Sequence, residues 1–405
     1  MSTMLNDPRL IAEQPGLRGA IAQYRRRIAQ GDVGQLPVVV GLLLIWGIFY
    51  LASDGTFFDP QNLVNLSLQM AAVGTIAVGV VFVLLLGEID LTVGVVSGLC
   101  SGLMAVLNVK LGVPGPIAVL AGVGAGLLIG VLHGLWITRF RIPSFVVTLA
   151  GLIGWQGALL FVLGNTGTVN LRDDFITGLA GTFFKGPMAW LFGTLFVVYV
   201  AGNGVLARRR RLAAGLTADP SAVVLVRAAI VAVFVAAALY VLQLDRGLPL
   251  SVVFLVGLIV VMDYVVRRTR FGRMVFAVGG NAEAARRAGI PVARVRIAVF
   301  AIASTLAAWG GVMASSRLLA VNQSAGSGDV LLNAIASAVI GGTSLFGGRG
   351  TVWAALLGIL VIQSISNGMD LLSFEPAVKQ MITGSVLLAA VTIDAIARRG
   401  REAGR

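Results

Sequence analysis

The segment N-A-E-A-A-R-R-A-G-I-P, residues 281–291, is a water-loving stretch set between two long apolar runs. Its residues spell out a complete short helix. Asn281 suits the N-cap, Glu283 lies in the first turn where the helix dipole favours an anion, and Arg286 and Arg287 fall in the last turn. Gly280 precedes the cap, Ala284 and Ala285 are strong helix formers, Gly289 suits the left-handed C′ position, and Pro291 stops continuation. Such a helix has about two turns, roughly 12 Å, and is too short to hold its shape alone in water. It reads either as a knob shaped for another protein's groove or as a chance surface helix in a loop. The polar stretch 267–296 around it orients the whole chain, because every other segment is counted from the side on which it lies.

Outside that stretch the chain is apolar. Its 405 residues are 57% hydrophobic and 12% charged, against about 25% charged in soluble domains. The mean hydropathy is +0.92, which indicates an all-α, polytopic transmembrane bundle. Apolar runs cover 37–53, 63–86, 91–108, 115–137, 144–164, 187–207, 228–244, 249–266, 297–316, 330–345, 351–372 and 377–396. These make twelve spans, or ten if fragments 87–94 and 330–350 are re-entrant. With the N-terminus inside, 25 of the 31 Lys and Arg fall in cytoplasmic pieces. The positive-inside rule then predicts both termini and the 281–291 helix in the cytoplasm. The net charge of +13 is thereby explained as a topology signal, not a nucleic-acid patch. The expected organisation is a cytoplasmic tail 1–36, a membrane domain 37–397 carrying the loop 267–296, and a tail 398–405. No cleavable signal peptide is apparent. In the first tail Leu17, Ile21, Tyr24 and Ile28 share a helical face beside Arg25–Arg27, either a helix lying in the inner headgroup layer or a disordered basic arm.

Several chemistries drop out. One Cys (Cys100) and one His (His133), both in apolar runs, leave no basis for a metal or redox centre, and packing is the simpler role for each. G-V-G-A-G at 122–126 lacks a preceding strand, so it is no dinucleotide fingerprint. G-G-T-S-L-F-G-G-R-G at 341–350 has Gly348 and Arg349 where a phosphate loop needs Lys and Ser/Thr, so it reads as a flexible break between spans. No nucleophile–base–acid set is visible, so no enzymatic activity and no cofactor are expected. Gly94, Gly98 and Gly102, and again Gly122, Gly126, Gly130 and Gly134, recur every four residues and predict close helix–helix seams.

Intramembrane charge is sparse. Asp263 near Arg267 reads as a snorkelling ion pair. G-E-I-D-L-T-V-G, residues 87–94, puts Glu88 and Asp90 either in a tight turn at the cytoplasmic surface or in a discontinuous helix facing a cavity. Asn65, Gln69, Gln156, Asn165, Ser337, Thr343 and Ser344 offer hydrogen bonds to a substrate or across helices. The lack of a carboxylate or histidine chain disfavours an ion-driven carrier and favours a neutral substrate powered from elsewhere.

These pieces together resemble the permease subunits of bacterial ABC sugar importers of the ribose, galactose, arabinose and xylose group. The matching stretches are 87–94, R-I-P-S-F-V-V-T-L-A-G (141–151), F-A-V-G-G-N-A-E-A-A-R-R-A-G-I (276–290), 337–350 and S-N-G-M-D (366–370). The likeness is strongest to xylose-type permeases, which share the extra apolar pair around 187–244 and R-R-R-R-L-A-A-G-L (208–216). The resemblance implies a protein of the bacterial inner membrane that moves a neutral monosaccharide, a pentose such as D-xylose being expected. It also implies a second permease copy, a cytoplasmic ABC ATPase and a periplasmic sugar-binding protein as partners, besides membrane lipid. By position, Glu283, Ala284, Ala285 and Gly289 match the ATPase-coupling motif, though the downstream Leu-Pro of other importer families is missing. Alternatives are a permease of the same group for an amino acid, nucleoside or signalling molecule, and an ion-coupled carrier.

Overall fold

The computed structural model describes residues 36–164, 167–215, 218 and 220–403. The amphipathic stretch 17–28, Asn165 and the side chains of the tail 398–405 lie outside that description. Among the described residues fifteen α-helices follow one another: α1 (Leu36–Ala52), α2 (Pro60–Leu85), α3 (Val93–Val109), α4 (Gly115–Phe140), α5 (Ser144–Leu163), α6 (Asp174–Gly181), α7 (Pro187–Ala213) and α8 (Ser221–Gln243). Then come α9 (Leu250–Arg268), α10 (Arg270–Gly280), α11 (Ala282–Arg287), α12 (Val292–Leu318), α13 (Asp329–Ile340), α14 (Trp353–Leu371) and α15 (Pro376–Ala403). Pro60, Pro187 and Pro376 open their helices, where the missing N–H costs nothing and the fixed φ suits the first turn.

The protein is predominantly helical, and among the described residues eight helices are long and apolar enough to cross a membrane. Two short antiparallel ribbons modify the all-α expectation. Thr168–Asn170 (β1) pairs with Ala320–Asn322 (β4), and Phe183–Phe184 (β2) pairs with Leu248–Pro249 (β3). Both satisfy backbone groups of loops that no helix can reach. The run 330–345 yields only the 12-residue α13, because Gly341 and Gly342 end it and the chain then turns back. The basic stretch 208–213 belongs to the last turns of α7 and not to a loop, and α8 begins at Ser221, earlier than the apolar run suggests. Arg side chains prolong both helices beyond the apolar part, since the backbone bonds are satisfied within the helix whatever its surroundings.

α12 is the axis of the bundle, wrapped by α2, α3 and α4. The glycine seams explain the intimacy. A methyl on Gly130 would collide with the Phe300 carbonyl, one on Gly134 with Ile297, and one on Gly126 with Ala308 and Ser304. Gly311 likewise lies on Ser97 of α3. Each contact brings two backbones closer than any larger residue permits, so dispersion replaces the hydrophobic drive that lipid cannot supply.

Two ends of the bundle are distinct. At one, Arg296 pairs with Glu88 at 2.8 Å, Ser144 Oγ receives the Ile89 N–H, and the Gly348 N–H donates to the Leu85 carbonyl. This end gathers 85–92, 139–144, 267–296 and 341–352, and is rich in arginine. At the other, Asn108 bonds Asp173, Arg246 bonds Asn65, and both ribbons close.

A candidate coupling helix and translocation face

At the Arg-rich end α11 folds as its residues require. Asn281 Oδ1 accepts the Ala284 N–H at 2.9 Å, Ile290 N–H donates to the Ala285 carbonyl at 3.0 Å, and Gly289 takes φ +81°. Glu283 pairs with Arg286 at 2.7 Å and with Arg287 at 3.3 Å. Those pairs are well exposed and each contributes only about 0.3–0.5 kcal/mol. Ala285 is the inward anchor, 5% exposed, while Ala284 faces outward. The result is a capped knob that presents Glu283, Ala284 and Arg287 to whatever lies outside.

Beneath the knob three glycine turns interlock. A Cβ on Gly279 would strike the Leu85 carbonyl, one on Gly347 would press the Gly279 carbonyl and the Gly87 N–H, and Gly348 rests on Gly280. Gly347 and Gly348 both have positive φ, at +82° and +70°, which their lack of a side chain permits. The 341–350 loop is therefore not a loose break but a packed strut, closed by Ser344 N–H to the Arg349 carbonyl at 3.0 Å. A push on α11 has a direct path to the turn 85–92, to α12 through Arg296, and to α13–α14 through the strut.

The turn 86–92 enters the bundle before α3 begins. Glu88 stays at its mouth on Arg296, whereas Asp90 is buried and accepts from the Thr92 N–H at 2.8 Å and hydroxyl at 2.6 Å. One Asp90 oxygen and His133 Nδ1 are buried with no hydrogen-bond partner, while His133 Nε2 accepts the Trp155 indole N–H at 2.9 Å. Of the two readings of Glu88 and Asp90, the packed turn agrees with this geometry. Glu88 is held by Arg296 and one oxygen of Asp90 by Thr92, and Asp90 is packed instead of facing open space.

The segment 319–328, which from sequence reads only as part of a polar outer loop, is more than a loop in the structure. After β4 it descends into the bundle, and the Ala325 and Gly326 carbonyls lie directly on Gly98 and Gly94, where any Cβ would collide. That level matches Gly311 of α12, seven residues from its end, so the turn sits about 10 Å below the rim. There Ser324, Ser327 and Asp329 are exposed, Gln156 of α5 donates to the Gln323 carbonyl at 3.0 Å, and α13 starts at Gly328 without a side-chain cap. Exposed polar groups at this depth make a wet face and not a lipid-facing one. The available signal was the polar run V-N-Q-S-A-G-S-G-D followed by a short helix, a broken span whose depth sequence did not show.

The polar residues proposed as a pathway thus separate. Gln156 touches the deep turn. Asn65 is engaged by Arg246 at the opposite end at 2.6 Å, and Gln69 lies half-buried one helical turn below it. Thr343 is 1% exposed inside the strut with Glu88 and Asp90 at the Arg-rich end. These groups do not form one cluster.

Residues 62–391 match the family described as branched-chain amino acid transport system / permease component. The chain is 37% identical to the xylose transport system permease protein XylH of Escherichia coli (strain K12) over 362 residues, 89% of this chain and 92% of that protein. It is 32% identical to the ribose import permease protein RbsC of Bacillus subtilis (strain 168), covering 92% and 96% of the two chains. It is 30% identical to the L-arabinose ABC transporter permease protein AraH of Azospirillum brasilense, with 96% of each covered. No solved structure matches the chain significantly. With a match that runs from α2 into α15 and relatives alike over nearly their whole length, the chain belongs to this family of ABC transport permease components.

Proposed function

We propose that the chain is the membrane-spanning, non-catalytic subunit of an ATP-driven importer for a neutral monosaccharide, D-xylose being the expected cargo. The observation that carries the sugar is the likeness to a xylose permease over nine-tenths of the chain. On this reading the Arg-rich end faces the cytoplasm, as the positive-inside rule requires, and the multi-pass bundle lies in the bacterial inner membrane with both termini inside. The apolar segments, α3 and the broken segment 319–340 included, then cross twelve times.

α11 is the coupling element. Glu283, Ala284, Ala285, Arg286 and Gly289, with Gly280 and Asn281 at the hinge, would seat in a groove of a cytoplasmic ABC ATPase. Its motion passes through the glycine strut to 85–92 and α12, and rocks the seamed helices. The deep turn with Gln156, Ser324, Ser327 and Asp329 supplies hydroxyl and carboxylate partners for a polyol and forms the translocation face. One copy leaves that face open, so a second copy closes it, and a periplasmic binding protein delivers sugar to the ribboned end.

The test is reconstitution of the chain with its ATPase and binding protein in liposomes, reading ATP hydrolysis across a panel of loaded sugars. D-xylose is expected to stimulate hydrolysis and uptake most. Stimulation by a branched-chain amino acid instead, the ligand in the family's description, would reassign the cargo. Uptake by the chain alone under an ion gradient would overturn the ATP-driven reading. In the same system Glu283→Arg and Gly289→Val should uncouple hydrolysis from uptake while membrane insertion stays intact.

A further inference from the structure

Asp90, on the turn that follows α2, and His133, on α4, are 4% and 3% exposed, and neither is part of the wet face. His133 stands seven residues before the end of α4 at Phe140, about 10 Å inside the Arg-rich rim. Gly151 of α5 brings the two together. A Cβ there would lie 2.9 Å from His133 Nε2 and 2.9 Å from Thr92 Cγ2, and Thr92 donates both its N–H and its hydroxyl to Asp90 Oδ1. The charge of Asp90 acts on His133 over this short separation.

Their unused hydrogen-bonding groups are complementary. The Trp155 indole can only donate, so His133 Nε2 accepts at their 2.9 Å contact and the imidazole hydrogen sits on Nδ1. That Nδ1–H is a buried donor without an acceptor, and Asp90 Oδ2 is a buried acceptor without a donor. Each is costly while it stands unmatched, and pairing the two removes both costs at once. Arg296 Nε is also unmatched, but Glu88 fixes that guanidinium at the mouth through Nη2 at 2.8 Å.

On the α5 side the turn is loosely held. The Ile89 N–H reaches Ser144 Oγ at 3.3 Å and Thr148 Oγ1 reaches the Ile89 carbonyl at 3.4 Å, both long for hydrogen bonds. A Cβ on Gly87 would lie 3.2 Å from the Phe346 carbonyl oxygen of the strut, so a displacement of the strut reaches Asp90 three residues on. α4, in contrast, is seated on α12 through Gly130 and Gly134.

We propose that Asp90 and His133 are a latch of the transport cycle: in its alternate conformation Asp90 Oδ2 accepts the His133 Nδ1–H, which pins the turn 86–92 to α4. His133 is then a positioning residue. It touches no cargo and sets which position of the turn is favoured when the strut moves. The inference rests on the ATP-driven motion proposed above and is independent of the sugar carried.

The chain has a single histidine, so ¹⁵N-histidine labelling reports on His133 alone. The test is NMR of the labelled full-length chain in nanodiscs with its ATPase, nucleotide-free and then held with a non-hydrolysable ATP analogue. Nδ1 should carry the hydrogen in both states, with its proton signal moved downfield, as a stronger hydrogen bond requires, in one state only. Asp90→Asn should abolish that difference. Sugar uptake per ATP hydrolysed, read in liposomes with the binding protein, separates latch from packing. An Asn amide lies where Nδ1 stood, so His133→Asn keeps the donor toward Asp90 and loses the acceptor for Trp155. His133→Gln does the reverse. The latch predicts that coupling survives in His133→Asn and falls about tenfold in His133→Gln and in Asp90→Asn. The double variant Asp90→Asn with His133→Gln should be no worse than either single one, since both break the same bond. The opposite order of the two His133 variants, additive loss in the double variant, or identical Nδ1–H signals in the two nucleotide states would each overturn the latch. Wild-type uptake with no change in the signal sinks the latch alone, whereas a nucleotide-dependent signal without sugar uptake sinks the transport reading alone.

Discussion

α2 and α8 are both apolar enough to cross a bilayer, and α8 is the more apolar of the two. Yet 83% of the most apolar window of α2 is buried, against 11% of that of α8. Hydrophobicity therefore does not decide which helix joins the core, since lipid is as good a solvent for leucine as another helix is. Close approach decides it. α12, which α2 packs on, and α4 and α3 carry glycines whose missing methyls admit a neighbouring backbone. In the hairpin, Gly202 faces open space and Gly193 and Gly204 merely fit α7 to α8. The core is a machine of fixed contacts, and the hairpin is an attached flap.

Four tests probe that contrast, the largest effect first. Gly130→Leu places a side chain into the Phe300 carbonyl, and overpacking of this kind should cost about 3 kcal/mol or prevent folding. Gly202→Leu, with open space around it, should stay within about 0.5 kcal/mol of wild type. Thermal unfolding in detergent followed by size exclusion reads both, and equal melting points for the two would dissolve the distinction between core and flap. Next, Glu88→Ala strands Arg296 at the Arg-rich end and should cost about 2 kcal/mol, part of which the double variant with Arg296→Met restores. A double variant worse than Glu88→Ala would show that the pair is not what holds the turn 86–92. Third, Gly289→Val forces a branched residue into φ +81°, a local cost of about 1–2 kcal/mol. Its larger consequence should appear in sugar uptake per ATP hydrolysed and not in melting, and unaltered coupling would detach α11 from the motor. Smallest, Phe234→Ala on the exposed face of the hairpin should shift stability by less than about 0.5 kcal/mol. A large loss there would mean that the flap is part of the core.

The same contrast explains what could be read from the chain without a structure. The knob 281–291 was legible to the residue because cap, dipole and stop signals are local, and Asn281, Glu283 and Gly289 take those roles. The glycine seams were legible as seams because a period of four places residues on one helix face. The partners across them were not, for nothing in G-x-x-x-G says whether Phe300 or Val224 lies opposite. The candidate pathway was the least legible part. Glu88, Asp90 and Thr343 look like intramembrane polar groups in a linear reading, and packing turns them inward at the Arg-rich end. Ser324, Ser327 and Asp329 look like an ordinary outer loop, and they reach the wet face because Gly94 and Gly98 leave room for the chain to descend.

Composition, charge placement and local helix signals by themselves determined a helical membrane protein, its expected sidedness and its short exposed helix 281–289, since each depends on residues adjacent in the chain or on their transfer into lipid. Only the tertiary structure decided that the 341–350 loop is a strut under that helix, that 319–328 is a descending turn, and that the hairpin stands away from the core. Those outcomes depend on which backbones come within contact distance, a property of pairs far apart in sequence.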